Sequence, residues 1–471
     1  MLLASMPFGG ELTLRRYRFD NGLILLSLPD PSTPLISYHT WFRVGSRNEQ
    51  PGKTGLAHLF EHLMFGQTAN LPHGELDKRI ESAGGETNAA TWTDWTHYHT
   101  ELPKEGLALM VEIESERMQN LVLRAKQVSS EKEVVQNERR FRVDDDVEGA
   151  VSEKLYALAF KRHPYHHPTI GWMKDIEGFT PEDCRGFYRA YYAPNNATVV
   201  AAGNFDERRL LALVQAHYGS IAAAYVPPPP SVVEPRQDRE RVRVMRASTP
   251  TEKLAIGYRA PSFGDPDYAA LSLLNELLFV GRGSRVFQRL VRKEQLAAEL
   301  HAGIAPFIDP GLYDIWIGLR PGKKVRSALR VLDEELERAC ERRVPASDLE
   351  RVKNRAELGF LMSLETVGGK AEQLGFYETV VGDAAQLFVR LAQFRAVTAD
   401  DVQRAARRVF DRSQRTRIEV LPDAKSGGKA TRRSRALAAR ESSPLSLLTH
   451  APSAPPFGAF APSSLRARWR P

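Results

Sequence analysis

Residues 58 to 62 read HLFEH, two histidines four apart with a glutamate between them. On a helix, residues four apart lie on one face, so His58 and His62 can turn two imidazole nitrogens to a single ion. Zinc suits imidazole ligands, takes about four of them, and in catalytic sites leaves one position to water. Glu61, next to His62, can take the proton of a metal-activated water as it attacks a peptide carbonyl, and can pass that proton to the leaving amine. Two surface histidines on a solvated helix would have the same spacing. Leu56, Leu59, Phe60, Leu63 and Met64 argue against that, because they make the helix apolar round most of its circumference. Such a helix is buried, and buried His and Glu side chains need partners.

Spacing alone leaves the third ligand open. Glu131 and Glu138 stand two helical turns apart on one predicted helix, so both face the same way. One can ligate while the other orients a ligand histidine from behind. Glu133 would point to the opposite side, and Glu112, Glu114 and Glu116 compete on the same grounds. His97 and His99 share one face of a predicted strand and form a rival metal pair, but no carboxylate lies near them at ligand spacing. His163, His166 and His167, among prolines and aromatics, read as packing and hydrogen-bonding groups.

The elements that must position these residues alternate. From about Leu12 to Tyr225, short β-type runs (residues 23–28 and 35–44) are followed by helical patterns at 55–65, 75–83, 105–121 and 128–142, then by a buried strand at 197–202. Gly66 and Gly84-Gly85 stop the first two helices. The run VPPPPSVVEP, from Val226, cannot continue a helix or a central strand and marks a domain boundary. Beyond it, strands at 254–258 and 312–319 and helices at 268–278, 285–291, 324–342 and 346–364 repeat the mixture. The halves read as copies of one α+β plan: a zinc domain over 1–225, a linker over 226–245 and a second domain over 246–423. A basic stretch without periodicity, 424–471, reads as a disordered tail.

Composition sets outer bounds. At 471 residues with 42% hydrophobic content the chain can build more than one core, and a formal charge of +7 is slight for its length. No nucleic-acid partner is expected, since the basic excess gathers in the tail and no base-reading motif accompanies it. Cys184 and Cys340 are far apart, which argues against a disulfide framework and a thiolate metal site. No apolar run reaches the roughly 18 residues of a membrane span. The start, MLLASMPFGG, lacks a basic lead and a long apolar stretch, so the expected compartment is the cytoplasm, or the periplasm or exterior if the true start lies upstream.

HLFEH, followed by GGETNAATWTDWTHY from Gly84 and EKEVVQNE from Glu131, resembles the pitrilysin-type (M16) inverted zinc peptidases, a family that includes insulin-degrading enzyme and the mitochondrial processing peptidases. HPYHHPTIGWMKDI from His163 and YYAPNNATVVAAGNF from Tyr191 match its pattern too, and the similarity extends over nearly all of residues 12–420. The resemblance implies an α+β fold of two homologous domains, each a mainly antiparallel sheet with helices packed on it, closing like a clam. It implies one zinc ion per chain held by His58, His62 and Glu138, with Glu61 as base and Glu131 behind the ligands. The separation of His62 and Glu138 fits the family's spacing. It also implies that the strand through Asn88 and Ala89 pairs with the backbone of an extended peptide, a mode that excludes folded substrates.

The pattern fails in the second half. Active members place an Arg and a Tyr seven residues apart there, steadying the tetrahedral intermediate, a contribution of about 3–4 kcal/mol to the barrier for such a donor. Aligning KEQL (residues 293–296) puts Val291 and Ala298 at those positions, and neither side chain can donate a hydrogen bond. Arg292 is one residue off and Tyr313 lies downstream. Some relatives divide the labour, so the implied state is a dimer, with a heterodimer in which this chain bears zinc and a sister subunit bears the Arg and Tyr. The expected function is a zinc endopeptidase acting on small or unfolded peptides. The alternative is an assembly or scaffold subunit that keeps the fold and no longer catalyses.

Overall fold

Seven strands of the first half form one sheet: β1 (Leu2–Gly9), β2 (Leu12–Arg18), β3 (Ile24–Pro29), β4 (Leu35–Phe42), β5 (Glu86–Thr91), β6 (Thr96–Pro103) and β7 (Ala197–Gly203), in the order β1-β2-β3-β7-β4-β6-β5. Five of the second half form another: β8 (Arg241–Ala247), β9 (Lys253–Arg259), β10 (Ala297–Ile304), β11 (Leu312–Leu319) and β12 (Arg415–Pro422), in the order β10-β11-β9-β12-β8. Only β3 with β7 and β8 with β12 run parallel; every other pairing is antiparallel. The sheets and their helices form the two-domain α+β architecture expected. This computed structural model describes residues 1–423, and the tail read over 424–471 lies outside them.

The helices that build the site are α1 (Leu56–Leu63), α2 (Glu75–Ser82), α3 (Leu107–Gln119), α4 (Ala125–Arg139) and α5 (Val147–Ala159). Strand β7 has the sequence ATVVAAG and all seven residues are buried, as a strand covered on both faces requires. One face packs beneath the first half's own helices, with Val199 and Ala201 in a core shared with Leu59, Phe60 and Val135. The other face belongs to a second core, where Leu26, Trp41 and Val200 meet Leu254, Leu374 and Tyr377 from the second half.

Each half covers the other. The helix Val367–Phe376 of the second half lies on β4 and β7. Its approach is so close that a Cβ at Gly375 would stand 2.0 Å from Trp41 Nε1. In return, α5 of the first half lies on the second sheet, burying Val151, Leu155 and Ala159 against Ala255, Ile418 and Val420. Ion pairs tie the seam: Arg16 to buried Glu378 at 2.7 Å and Lys370 to Asp30 at 2.7 Å.

Two stretches form strands where the sequence pattern assigns none. The N-terminal apolar residues are edge strand β1, paired with β2 from Leu2 to Gly9. The segment from residue 226 runs without helix or strand to Glu240, and β8 begins at Arg241, inside the stretch read as linker. Its partner β12 comes from the far end of the second half, so no local pattern announces the pairing. Glu234 pins the irregular segment by accepting the backbone N–H groups of Lys161, Arg162 and His163 at 2.8, 2.7 and 2.9 Å.

Candidate metal centre

Helix α1 begins at Gly55, whose φ of +98° is open to glycine and strained for other residues. A Cβ there would stand 2.5 Å from the Ile170 carbonyl oxygen, so the loop ending at Gly171 can lie flush against the helix start. The N-cap residue offers no side chain, and Glu49 serves instead. One of its carboxyl oxygens accepts Gly55 N–H at 2.7 Å and the other accepts Ala57 N–H at 2.8 Å, which satisfies two N–H groups at the helix start that have no partner within the helix. Leu56, Leu59, Phe60 and Leu63 are buried, and Phe60 packs on Phe187 and Tyr192 with ring centroids 5.4 and 5.0 Å away. That burial leaves His58, Glu61 and His62 on the face toward α4.

Glu138, near the end of α4, meets them. His62 Nε2 lies 3.3 Å and His58 Nε2 3.7 Å from Glu138 Oε2. All three donor atoms fall within 4.8 Å of one another, the only such trio of His, Cys, Asp or Glu among the described residues. A zinc ion about 2.0–2.2 Å from each ligand atom allows no pair more than about 4.4 Å apart. Two separations, 3.3 and 3.7 Å, meet that limit and the third lies within 4.8 Å, so the donor set fits zinc by geometry and by chemistry.

Protonation favours ligation at His58 and Glu138 and opposes it at His62. Burial lowers the pKa of His58 and keeps its imidazole neutral. Burial also opposes the charge on Glu138, but the His62 hydrogen bond and the positive charge of Arg142 outweigh it and hold the carboxyl at about 2. For His62, burial pulls the pKa down while the Glu138 hydrogen bond and the charges of Glu138, Glu61 and Glu131 pull harder, so it is raised. A proton on His62 has to leave when a cation enters. Glu131 Oε2 stands 3.9 Å from His62 Nδ1, beyond hydrogen-bond length and close enough to bias the ring. Glu133 is exposed on the opposite side, as its spacing predicts.

The competing carboxylates are engaged elsewhere. Glu112 pairs with Arg79 at 2.8 Å, Glu114 with Arg117 and Thr40, and Glu116 accepts from Thr68 and Asn70. His97 and His99 join His39 in a buried stack in which His97 Nε2 lies 2.9 Å from His39 Nδ1, and no carboxylate completes a metal trio there. His163 binds Asp309 at 3.1 Å, and His167 sits 3.7 Å from Glu49. Asn88 and Ala89 lie on β5, which among the described residues pairs only with β6 and so leaves one edge of the sheet free. The Ala89 N–H is held at 2.9 Å by the Asn88 side chain.

Two residues at the site were not singled out from the sequence. Glu49 gives no local sign of capping a helix that starts several residues later. Arg142 does give one, its i,i+4 spacing to Glu138. The predicted helix over 128–142 divides at Arg139 into α4 and a π-helical turn, Arg140–Asp144, and Arg142 Nη1 reaches Glu138 Oε1 at 2.9 Å. Such widened turns recur at functional sites. In the second half, Val291 is half-buried against the core and Ala298 is exposed on β10. Tyr313 cannot stand in for the missing tyrosine, since its fully buried O–H donates to Asn275 at 2.7 Å.

Residues 25–172 match the family model described as Insulinase (Peptidase family M16), and residues 178–356 match the one described as Peptidase M16 inactive domain. The zinc protease PqqE of Helicobacter pylori is 31% identical over 85% of this chain and 91% of its own length. An uncharacterized zinc protease of Streptomyces coelicolor is 27% identical over 85% and 88%. A protease from Helicobacter pylori with a solved crystal structure superposes with a TM-score of 0.83 at 30% identity, covering 87% of this chain and 99% of that one.

Proposed function

The chain belongs to peptidase family M16, and from that premise we propose that it is a zinc-dependent endopeptidase cutting small or unfolded peptides, with His58, His62 and Glu138 as ligands of one zinc ion. The observation that carries the reading is the convergence of those three donor atoms within 4.8 Å, beside a free sheet edge. Zinc bound there would supply Lewis acidity toward water and the scissile carbonyl. Glu61, half-buried on the face of α1 that carries both histidines, accepts the proton of the attacking water and delivers it to the leaving amine. Arg142 and Glu131 keep Glu138 and His62 in place. The free edge of β5 holds the substrate in extended form through its backbone groups, with Asn88 releasing the Ala89 N–H as a peptide docks.

Val291 and Ala298 support a divided site, in which this zinc-bearing subunit works with a sister subunit that supplies the anion-stabilising Arg and Tyr. The test is hydrolysis of a quenched peptide library by the zinc-loaded chain, alone and with candidate sister subunits, with Glu61→Gln as control. Cleavage that vanishes in the control supports the peptidase, and cleavage by the chain alone overturns the divided site. A folded, zinc-bearing chain that cleaves nothing in any pairing points to the scaffold reading. Full zinc occupancy in a His58→Ala, His62→Ala double variant would sink the ligand assignment.

A further inference from the structure

The run HPYHHPTIGWMKDI, from His163, supplies no metal ligand, yet part of it lies between the two helices that do. Zinc tolerates little variation in ligand distance, so the separation of α1 and α4 beside the donors has to be fixed. The start of α1 meets the turn Ile170, Gly171, Trp172 backbone to backbone. A Cβ at Gly171, where φ is +84°, would stand 2.2 Å from the Thr54 carbonyl oxygen, so the approach depends on glycine from this side as it does at Gly55. Thr54 fastens the contact. Its Oγ1 accepts the Trp172 N–H at 3.0 Å, and its O–H donates to Asp175 Oδ2 at 2.6 Å, an oxygen that also accepts the Thr54 N–H at 3.1 Å.

The same turn is held from α4. Arg139, the residue after Glu138, is buried, and its Nη1 donates to the Gly171 carbonyl at 2.7 Å. Its Nη2 lies 2.7 Å from Glu153 Oε2 on α5 and 3.7 Å from Asp144 Oδ1, and its guanidinium carbon stands 5.9 Å from the centre of the Trp172 ring. Two carboxylates already answer its charge, as a buried cation requires. The bond to a neutral backbone carbonyl is additional, and a forked side chain can make it while keeping the ion pair. The contacts therefore run without a break from Glu138 through Arg139, Gly171 and Thr54 to Gly55, with His58 one helical turn further on. Close-packed backbone has little give, so the path is stiff.

We propose, resting on the zinc-site reading, that the turn at Gly171 is a strut that sets the separation of α1 and α4, and that Arg139 and Thr54 are positioning residues of the metal centre. They fix the distance between the histidine pair and Glu138 without touching the ion. Arg142 differs in kind, since it bonds to Glu138 itself. The strut acts by preorganisation: once it is loosened, the three donors have to be drawn together at the expense of metal affinity.

The test is the zinc affinity of the full chain well below its melting temperature, by competition with a chelating dye, beside the visible bands of the cobalt-loaded chain, which report ligand geometry. Arg139→Met should bind zinc about 10–100-fold more weakly than the parent, with shifted cobalt bands. Glu153→Gln breaks the same buried ion pair and keeps the bond to Gly171, so it should bind zinc as the parent does. Thr54→Val releases the other fastener and should also weaken binding, and its loss should not add fully to that of Arg139→Met, because both act through one strut. Parent-like affinity and cobalt bands in Arg139→Met, an equal loss in Glu153→Gln, or fully additive losses would each overturn the proposal. If Arg139→Met does not fold, parent-like affinity in Thr54→Val overturns it. A parent chain that binds no zinc removes the metal site and the strut together. A parent that loses zinc on His58→Ala and keeps it in Arg139→Met removes the strut alone.

Discussion

The two halves lay down their strands in the same order, β5-β6-β4-β7-β3 in one and β10-β11-β9-β12-β8 in the other, with the parallel pair in the same place. After β4 comes α1, which buries one side and turns His58, Glu61 and His62 toward Glu138. The helix in the same place after β9, Asp267–Leu278, has the sequence DYAALSLLNELL and is buried on nearly every residue. Its polar Asn275 is spent inside, accepting from Tyr313 and donating to the Ala302 carbonyl. The frame follows the apolar pattern, which the halves share. The chemistry follows a handful of polar residues, which they do not.

The sharpest way to break this contrast is to exchange the consequences. Glu61→Gln should reduce turnover by about 10³-fold with zinc retained. Asn275→Ala should cost about 2–3 kcal/mol of stability by orphaning Tyr313, and leave zinc content, read by atomic absorption, unchanged. Equal loss of zinc in both variants would erase the distinction between the halves. Next in size is the contact between them: Gly375→Ala drives a methyl into Trp41 and should destabilise by about 2 kcal/mol in a denaturant titration. Smaller is Glu49→Ala, which uncaps α1 and should cost about 1 kcal/mol with weaker zinc retention against a chelator.

The last prediction concerns acid. Burial holds His39 and His97 well below the ordinary histidine pKa, so both are neutral in the folded protein and take up protons on unfolding. Their contribution is complete above about pH 6.5 and is lost as pH falls below it, by at most about 1.4 kcal/mol per pH unit for each. Melting temperatures between pH 7.5 and 5 should fall more steeply in the parent than in a His39→Asn variant, and equal slopes would exclude the cluster as the cause.

The histidine pair could be seen in the primary structure because helical periodicity is local: the helix expected over 55–65 is α1, Leu56–Leu63, whereas periodicity puts Glu138 on one face with Glu131 and leaves the choice between them to the family resemblance. Strand β11, Leu312–Leu319, was equally plain from its apolar run. What escaped depends on distant partners. Glu49 caps a helix from outside it, β8 is a strand only because β12 lies beside it, and the break of α4 into a wider turn is held by Arg139, whose guanidinium donates to the Gly171 carbonyl at 2.7 Å. Periodicity carries no trace of such pairings.

The exchange of α5 and the helix Val367–Phe376 across the seam has a consequence for how the polypeptide can be cut. A protease that nicks the exposed prolines near residue 228 severs covalent continuity and nothing else, because each fragment still roofs the other's sheet. Made separately, the two fragments would each lack a roof and find it only in the other, so the proline stretch works as a tether within one interlaced body.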